Sequence, residues 1–146
     1  MKTSIGLRLR CGLLSLLLLL LQACSQPAPD EARLRATLDL LVQAGEERRT
    51  GDFMEHVADD FAGPSDAPDA RSLQRYLSVI ALRARSISVT RTSTDIQMFG
   101  SRATVKISML ITADAGSLLP EARQMDTETG WRVDSGEWKL ISAKWD

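Results

Sequence analysis

Apolar residues recur along this chain at three different intervals, and each interval predicts a different structure. Near the N-terminus they are almost unbroken: Leu13, Leu14 and residues 16–21, with only Ser15 between. From Leu34 to Ala84 they return every three or four residues, the period of an amphipathic helix. From Ser86 to Trp145 they alternate, the period of a strand with one buried face.

The helical region divides into three. Asp30 is placed to cap a first helix whose apolar face is Leu34, Leu38, Leu41 and Val42. It should run to about Arg49, where Thr50-Gly51 reads as a stop signal. Asp52-Phe53-Met54-Glu55 has the layout of a capping box. It opens a short second helix with Phe53, Val57 and Phe61 on one face. Residues 63–68 read as a loop. A third helix is expected from about Asp69 to Ala84, with Leu73, Tyr76, Leu77 and Ile80 on its inner face.

The alternating region predicts four long strands. Ser86–Phe99 is rich in β-branched residues. Gly100-Ser101 is a two-residue hairpin with Gly first, as a type II′ turn requires. Ala103, Val105, Ile107, Met109, Ile111 and Ala113 then share one face, with Leu110 the apolar exception on the other. Residues 114–120 read as a loop. Residues 123–133 and 137–145 are two further strands joined at Asp134-Ser135-Gly136. Trp131 and Trp138 flank that turn and are expected to pair across it. Helices first and strands later predict an α+β fold: three N-terminal helices packed on one face of a curved antiparallel sheet of four or more strands.

The unbroken apolar run has the flanks of an export signal. Lys2, Arg8 and Arg10 precede it and a small residue, Ala23, follows it. It is too short to span a bilayer, which takes about 20 apolar residues. The segment Leu21-Gln22-Ala23-Cys24 is similar to the lipobox of bacterial lipoproteins. That resemblance implies cleavage before Cys24, diacylglycerol on its sulfur and acylation of the new amine. Ser25 stands where lipoproteins held at the inner membrane often carry Asp, so the resemblance implies an outer-membrane anchor facing the periplasm. The expected organisation is a signal peptide at 1–23, a lipidated Cys24 with a short tether at 24–29, and one domain at 30–146.

Charge and cysteine content narrow the function. The leader holds three of the 18 basic residues and none of the 19 acidic ones, which leaves the remaining 123 residues at a net charge of −4. An acidic balance with no basic stripe speaks against nucleic acid. The two cysteines, Cys11 and Cys24, leave with the leader or carry the lipid, so thiolate metal sites and cysteine catalysis are excluded. His56 is the one histidine. No metal-ligand spacing or Gly-rich phosphate loop is present, and no metal or cofactor is expected.

The order of elements resembles the nuclear transport factor 2-like superfamily, the SnoaL-like cone fold, over roughly residues 34–145. The resemblance rests on the first helix ending before Gly51-Asp52, on the following Asp59-Asp60-Phe61, and on the hairpin at Phe99-Gly100-Ser101-Arg102-Ala103. It rests most of all on the Trp-bearing final hairpin, Trp131 through Trp145. It implies a cone between sheet and helices that holds a small apolar ligand, and a sheet face that forms homodimers. In the enzymes of the superfamily a carboxylate or His inside the cone moves a proton. The Tyr-plus-acid arrangement of the ketosteroid isomerases and the His–Asp pairing of the dehydratases have no match here, so no catalytic residue is assigned.

Tyr76, on the inner face of the third helix, and Trp131, on the inner face of its strand, are the candidate ligand-binding residues. His56 falls off the buried side of its helix and reads better as a solvated or capping residue than as a base. Asp126 and Glu128 alternate with Met125, Thr127 and Thr129, which puts both acids on the wet face. Arg48-Arg49, Arg83 and Arg85 read as solvated faces. The expected function is an envelope-anchored lipoprotein, tied to the membrane at Cys24, whose domain binds a small apolar ligand or a protein partner without catalysis. Two alternatives stand beside it. One is an isomerase, dehydratase or hydrolase-type enzyme with an acid–base site inside the cone; the other is a structural protein that dimerises through its sheet.

Overall fold

The computed structural model describes residues 29–116 and 121–146. The leader, Cys24 and the tether as far as Ala28 lie outside them. The described residues form three helices, α1 (Pro29–Glu46), α2 (Thr50–Glu55) and α3 (Ala70–Arg83), which from Glu31 onward belong to the compact unit Glu31–Asp146. Its strands are β1 (Val57–Ala62), β2 (Ser86–Phe99), β3 (Arg102–Asp114), β4 (Glu121–Asp134) and β5 (Glu137–Trp145). They form one sheet in the order β1-β5-β4-β3-β2. The pairs β2–β3, β3–β4 and β4–β5 are antiparallel, and β1 joins β5 in parallel. The α+β class and helix order are as the periodicity predicts.

The beginning of the domain departs from expectation in three places. Helix α1 starts at Pro29, so Asp30 lies in its first turn rather than at its cap. It ends at Glu46, earlier than the expected Arg49. Arg49 N–H donates to Ala44 O at 2.8 Å and Arg48 N–H to Gly45 O at 3.1 Å, with Arg48 at φ 58. That is a Schellman ending with Arg in the position usually held by Gly. Thr50-Gly51 then starts α2 instead of ending α1. The capping box does not form: Arg49 occupies the N-cap, with no side-chain cap bond, and Asp52, inside the first turn, pairs with Arg49.

The second helix stops at Glu55, and residues 57–62 are the strand β1. Val57 and Phe61 are both buried, as expected. A spacing of four keeps two residues on one face in a helix and in a strand alike, so it did not distinguish the two. Leu140 N–H donates to His56 O at 2.8 Å and carries the chain into the sheet.

Helix α3 and the hairpins follow the sequence closely. Asp69 caps α3, accepting from Ser72 N–H at 2.7 Å. Gly100 has φ +64 and begins a two-residue turn between the paired Phe99 and Arg102. Trp131 and Trp138 are both buried, at 1% and 2% exposure, but they are not cross-strand partners. Trp131 faces Leu140 and Trp138 faces Val133, because the turn pairs Asp134 with Glu137 and leaves the two indoles two residues out of register; a shift in register follows between Gly130 and Trp131. A second irregularity falls between Arg91 and Ser93. Such shifts bend a sheet and increase its twist. At the first, a Cβ on Gly130 would come within 2.4 Å of Ser142 Oγ, so the serine hydroxyl would have to turn away.

The bent sheet folds its apolar face over α1 and α3. Leu34, Leu38 and Leu41 of α1, Leu73 of α3 and Phe61 of β1 pack with Val105, Trp131 and Leu140 in one core. Polar side chains fasten α1 to the sheet along its length. Arg33 donates to Gly136 O, Asp39 pairs with Arg91, and Glu46 accepts from Val89 N–H at 2.7 Å. The last bond occupies a donor on β2, an edge strand that would otherwise present open pairing groups.

The outer face of the sheet is polar. Asp95, Lys106, Glu128 and Lys144 stand opposite one another across β2, β3, β4 and β5, a row of alternating sign. Phe99 and Leu110 are exposed large apolar residues on these strands. Among the described residues no helix is long and apolar enough to cross a membrane.

Candidate functional site: an apolar cone

Between the sheet and the helices lies a cavity of about 260 Å³. Its deep end is set by residues that are themselves buried: Leu38, Phe61, Leu73, Trp131, Leu140 and Ala143. Burial then falls steadily toward the other end. Along β4 it passes from buried Trp131 through half-buried Thr129, Thr127 and Met125 to exposed Arg123. Along β3 it passes from buried Ile107 to half-buried Met109 and Ile111. The mouth therefore lies at the Ile111–Met125 end, with Val42 and Gly45 of α1 and Ile80 of α3 on the helical side.

The alternation of β3 and β4 builds this lining. One face of each strand supplies a residue at every second position, and the sequence fills those positions with Val, Ile, Met, Thr and Trp. Two methionines, Met109 and Met125, are directly paired near the mouth. Thioether side chains are unbranched and adapt to irregular occupants.

Among the described residues that line the cavity there is no acid, histidine, lysine or arginine. The polar groups on the wall are mostly engaged with the protein itself. Thr129 Oγ1 donates to Val105 O at 3.1 Å and accepts from Trp131 Nε1 at 2.9 Å. Thr127 Oγ1 donates to Ile107 O at 3.3 Å. Tyr76 stacks on Trp145 with ring centroids 6.1 Å apart and planes inclined by 25°. Offset aromatic pairs at this separation are favourable and hold both rings in place.

The structure brings Tyr76 and Trp131 to the same cavity, Trp131 at its deep end. His56 lies elsewhere: it ends α2, half-buried, and does not line the cone. Asp126 and Glu128 are on the outer face, as the alternation requires. Glu128 sits 3.6 Å from Lys106. Trp145, Met109, Met125 and the two threonines line the cavity without having been singled out from the sequence. For Met125 and the threonines the signal was the phase of the alternation, which had placed Met125, Thr127, Thr129 and Trp131 together. Cys24 falls outside the described residues. Among those residues no cluster of His, Cys, Asp and Glu could hold a metal ion.

The strongest electrostatic feature is remote from the cone. Arg132, on the outer face of β4, donates to both oxygens of Asp60, at 2.9 and 3.1 Å, and to Asp134 at 2.7 Å. The Arg132 guanidinium holds the Asp60 carboxyl below the usual carboxylate range. The pair ties β1 to β4 across the intervening β5, and it directs no charge at the cavity.

Neither the known protein-family models nor the curated protein sequences give a match. Solved structures do. A putative dehydratase of the nuclear transport factor 2-like family from Streptomyces avermitilis superposes with a TM-score of 0.71 at 15% identity, covering 81% of this chain and 96% of that one. A putative scytalone dehydratase from Novosphingobium aromaticivorans gives a TM-score of 0.73 at 12% identity, over 80% and 82%. A nuclear transport factor 2-like protein of unknown function from Pseudomonas putida gives 0.70 at 14%, over 80% and 85%. Identities this low speak for architecture alone, since one fold hosts many chemistries. Residues 31–146 have the nuclear transport factor 2-like cone fold.

Proposed function

We propose that this chain is an envelope lipoprotein, anchored through Cys24, whose cone binds a small apolar molecule without transforming it. One observation carries the binding part: a cavity of about 260 Å³ whose lining, among the described residues, includes no ionisable acid or base apart from the phenol of Tyr76. Apolar cavities with few polar groups are the usual seat of small-molecule binding. A site that moves a proton needs an acid or base within hydrogen-bond reach of the substrate. The similar putative dehydratases make the enzyme reading the natural rival. It would require Tyr76 to serve alone. The anchor rests on the lipobox-like Leu21-Gln22-Ala23-Cys24 and the charged, apolar segment before it.

Native mass spectrometry of residues 25–146, which carry the whole core, tests the binding. Protein purified gently and then exposed to a cell envelope extract should gain a small molecule that is lost on denaturation. A clean mass that gains nothing from the extract refutes the proposal. Intact mass of the protein recovered from its own membrane tests the anchor. Three acyl chains on a polypeptide beginning at Cys24 are expected, and an unmodified N-terminus would refute it.

A further inference from the structure

The cone is apolar inside, but its mouth is not neutral. β4 carries its cavity-facing side chains at odd positions, and the run Trp131, Thr129, Thr127, Met125 continues outward to Arg123. Arg123 stands directly across from Ile111, which lines the cavity. It lies roughly 7 Å up the strand from Met125, two residues at the rise of an extended chain. An arginine side chain spans that distance, so its guanidinium reaches the rim. Arg123 is exposed, and among the described residues no hydrogen bond or ion pair engages its side chain.

The neighbouring charges leave this cation available. Glu46, at the helical side of the mouth, spends one carboxylate oxygen on Val89 N–H at 2.7 Å. Asp114, at the end of β3, accepts from Gly116 N–H at 2.7 Å. Glu121 is the next acid along the same face of β4, and it forms no ion pair with Arg123 among the described residues. Arg85 adds a second cation at this end: its backbone N–H bonds to Asp114 O and its guanidinium packs over Gly116. The arrangement is a hydrocarbon-lined pit with an exposed guanidinium at its opening that has no partner among the described residues.

We infer that the ligand is a single-chain anionic amphiphile, a medium-chain carboxylate, with its tail in the cone and its head on Arg123. This rests on the binding proposed above and adds a head-group preference to it. Tail length follows from volume. A dry cavity of ~150 Å³ accepts benzene, so about 260 Å³ accommodates about ten carbons on the same scale. A carboxylate is the fitting head because guanidinium binds it through two parallel hydrogen bonds. The head stays at the rim, where water still reaches it, and avoids the cost of burying a charge.

The test compares decanoate with decanol by displacement of a fluorescent apolar probe from residues 25–146. Decanoate should bind about fivefold tighter than decanol, the scale of an exposed charge pair. The margin should shrink in high salt, which screens it. Arg123→Gln should remove the margin and leave decanol affinity unchanged, whereas Arg71→Gln, at the far end of α3, should preserve it. Equal affinities for the two compounds, or a margin that survives Arg123→Gln, overturn the head-group assignment while leaving the apolar pocket standing. Displacement by neither compound overturns the pocket itself.

Discussion

Thr129→Val separates two roles for the threonines on the cavity wall. One role is to offer hydroxyls to a ligand; the other is to satisfy the fold. The Thr129 hydroxyl donates to Val105 O and accepts from the Trp131 indole N–H. Valine keeps the shape and removes both bonds. The Trp131 side chain is 1% exposed, so its N–H would be left buried and unpaired, at a cost of about 1–3 kcal/mol. The added methyl offsets part of this, at most about 0.8 kcal/mol. The net expectation is a loss of roughly 1–2 kcal/mol, a large share of the ~5–15 kcal/mol that holds a typical domain folded. In urea, with a slope of ~1–3 kcal/mol per molar, the midpoint should fall by roughly 0.5–2 M at unchanged slope. Thr127→Val is the control. Its hydroxyl makes a single, longer bond to Ile107 O and serves no buried donor, so its midpoint should move by a fraction of that. Affinity for an apolar probe should be unchanged in both variants. A Thr129→Val midpoint at or above wild type would refute the assignment of that hydroxyl to Trp131.

Three further outcomes follow from the geometry. Gly45 lies in α1 at the mouth, and a Cβ there meets nothing within 4 Å. Gly45→Ala should stabilise by about 1 kcal/mol through helix propensity, read from urea midpoints, while Gly45→Leu should reduce probe binding in fluorescence titration without unfolding the domain. The Asp60–Arg132 pair makes a pH prediction. Asp60 is lowered in the folded state by its hydrogen bonds to Arg132, so its contribution is fully present above the unfolded carboxylate range near 3.9 and is lost as pH falls through the lowered folded value. Asp60→Asn should flatten that part of the stability–pH curve, measured by urea unfolding between pH 5 and 2. Asp69→Ala removes the acceptor for Ser72 N–H and should lower the thermal midpoint seen by circular dichroism, whereas Asp69→Ser should recover most of it.

Where local pattern and tertiary demand agreed, the fold could be read from the chain. Leu34, Leu38 and Leu41 are buried at the helical spacing, and Ala103, Val105 and Ile107 at the strand spacing. Gly100 took the positive φ its turn requires. Reading failed where two structures share a signal. Val57 and Phe61 suit a helix face and a strand face equally, and the parallel partner that decides between them, Leu140, lies more than eighty residues away. The capping box failed because α2 begins two residues before Asp52, which places that aspartate inside the helix. The tryptophan pairing failed because the two-residue turn Ser135-Gly136 pairs Asp134 with Glu137, and that register sets Trp131 opposite Leu140, two residues beyond Trp138.

The candidate site was legible in the same uneven way. Tyr76 and Trp131 point into one cavity because each sits in phase on its own element. Trp145 joins them only through the bend of the sheet, which brings the end of β5 against α3. The emptiness of the cone was not legible at all, since it depends on how far the sheet stands off the helices.

The most direct test of the central claim is a methyl NMR titration of residues 25–146 with naphthalene, an uncharged ten-carbon probe. Saturable shifts are predicted at Leu38, Ile107, Met109 and Met125, with Leu82 and Leu110 on the outside unmoved. Shifts confined to Leu82 and Leu110, or none at saturation of the probe, would contradict an open apolar cone.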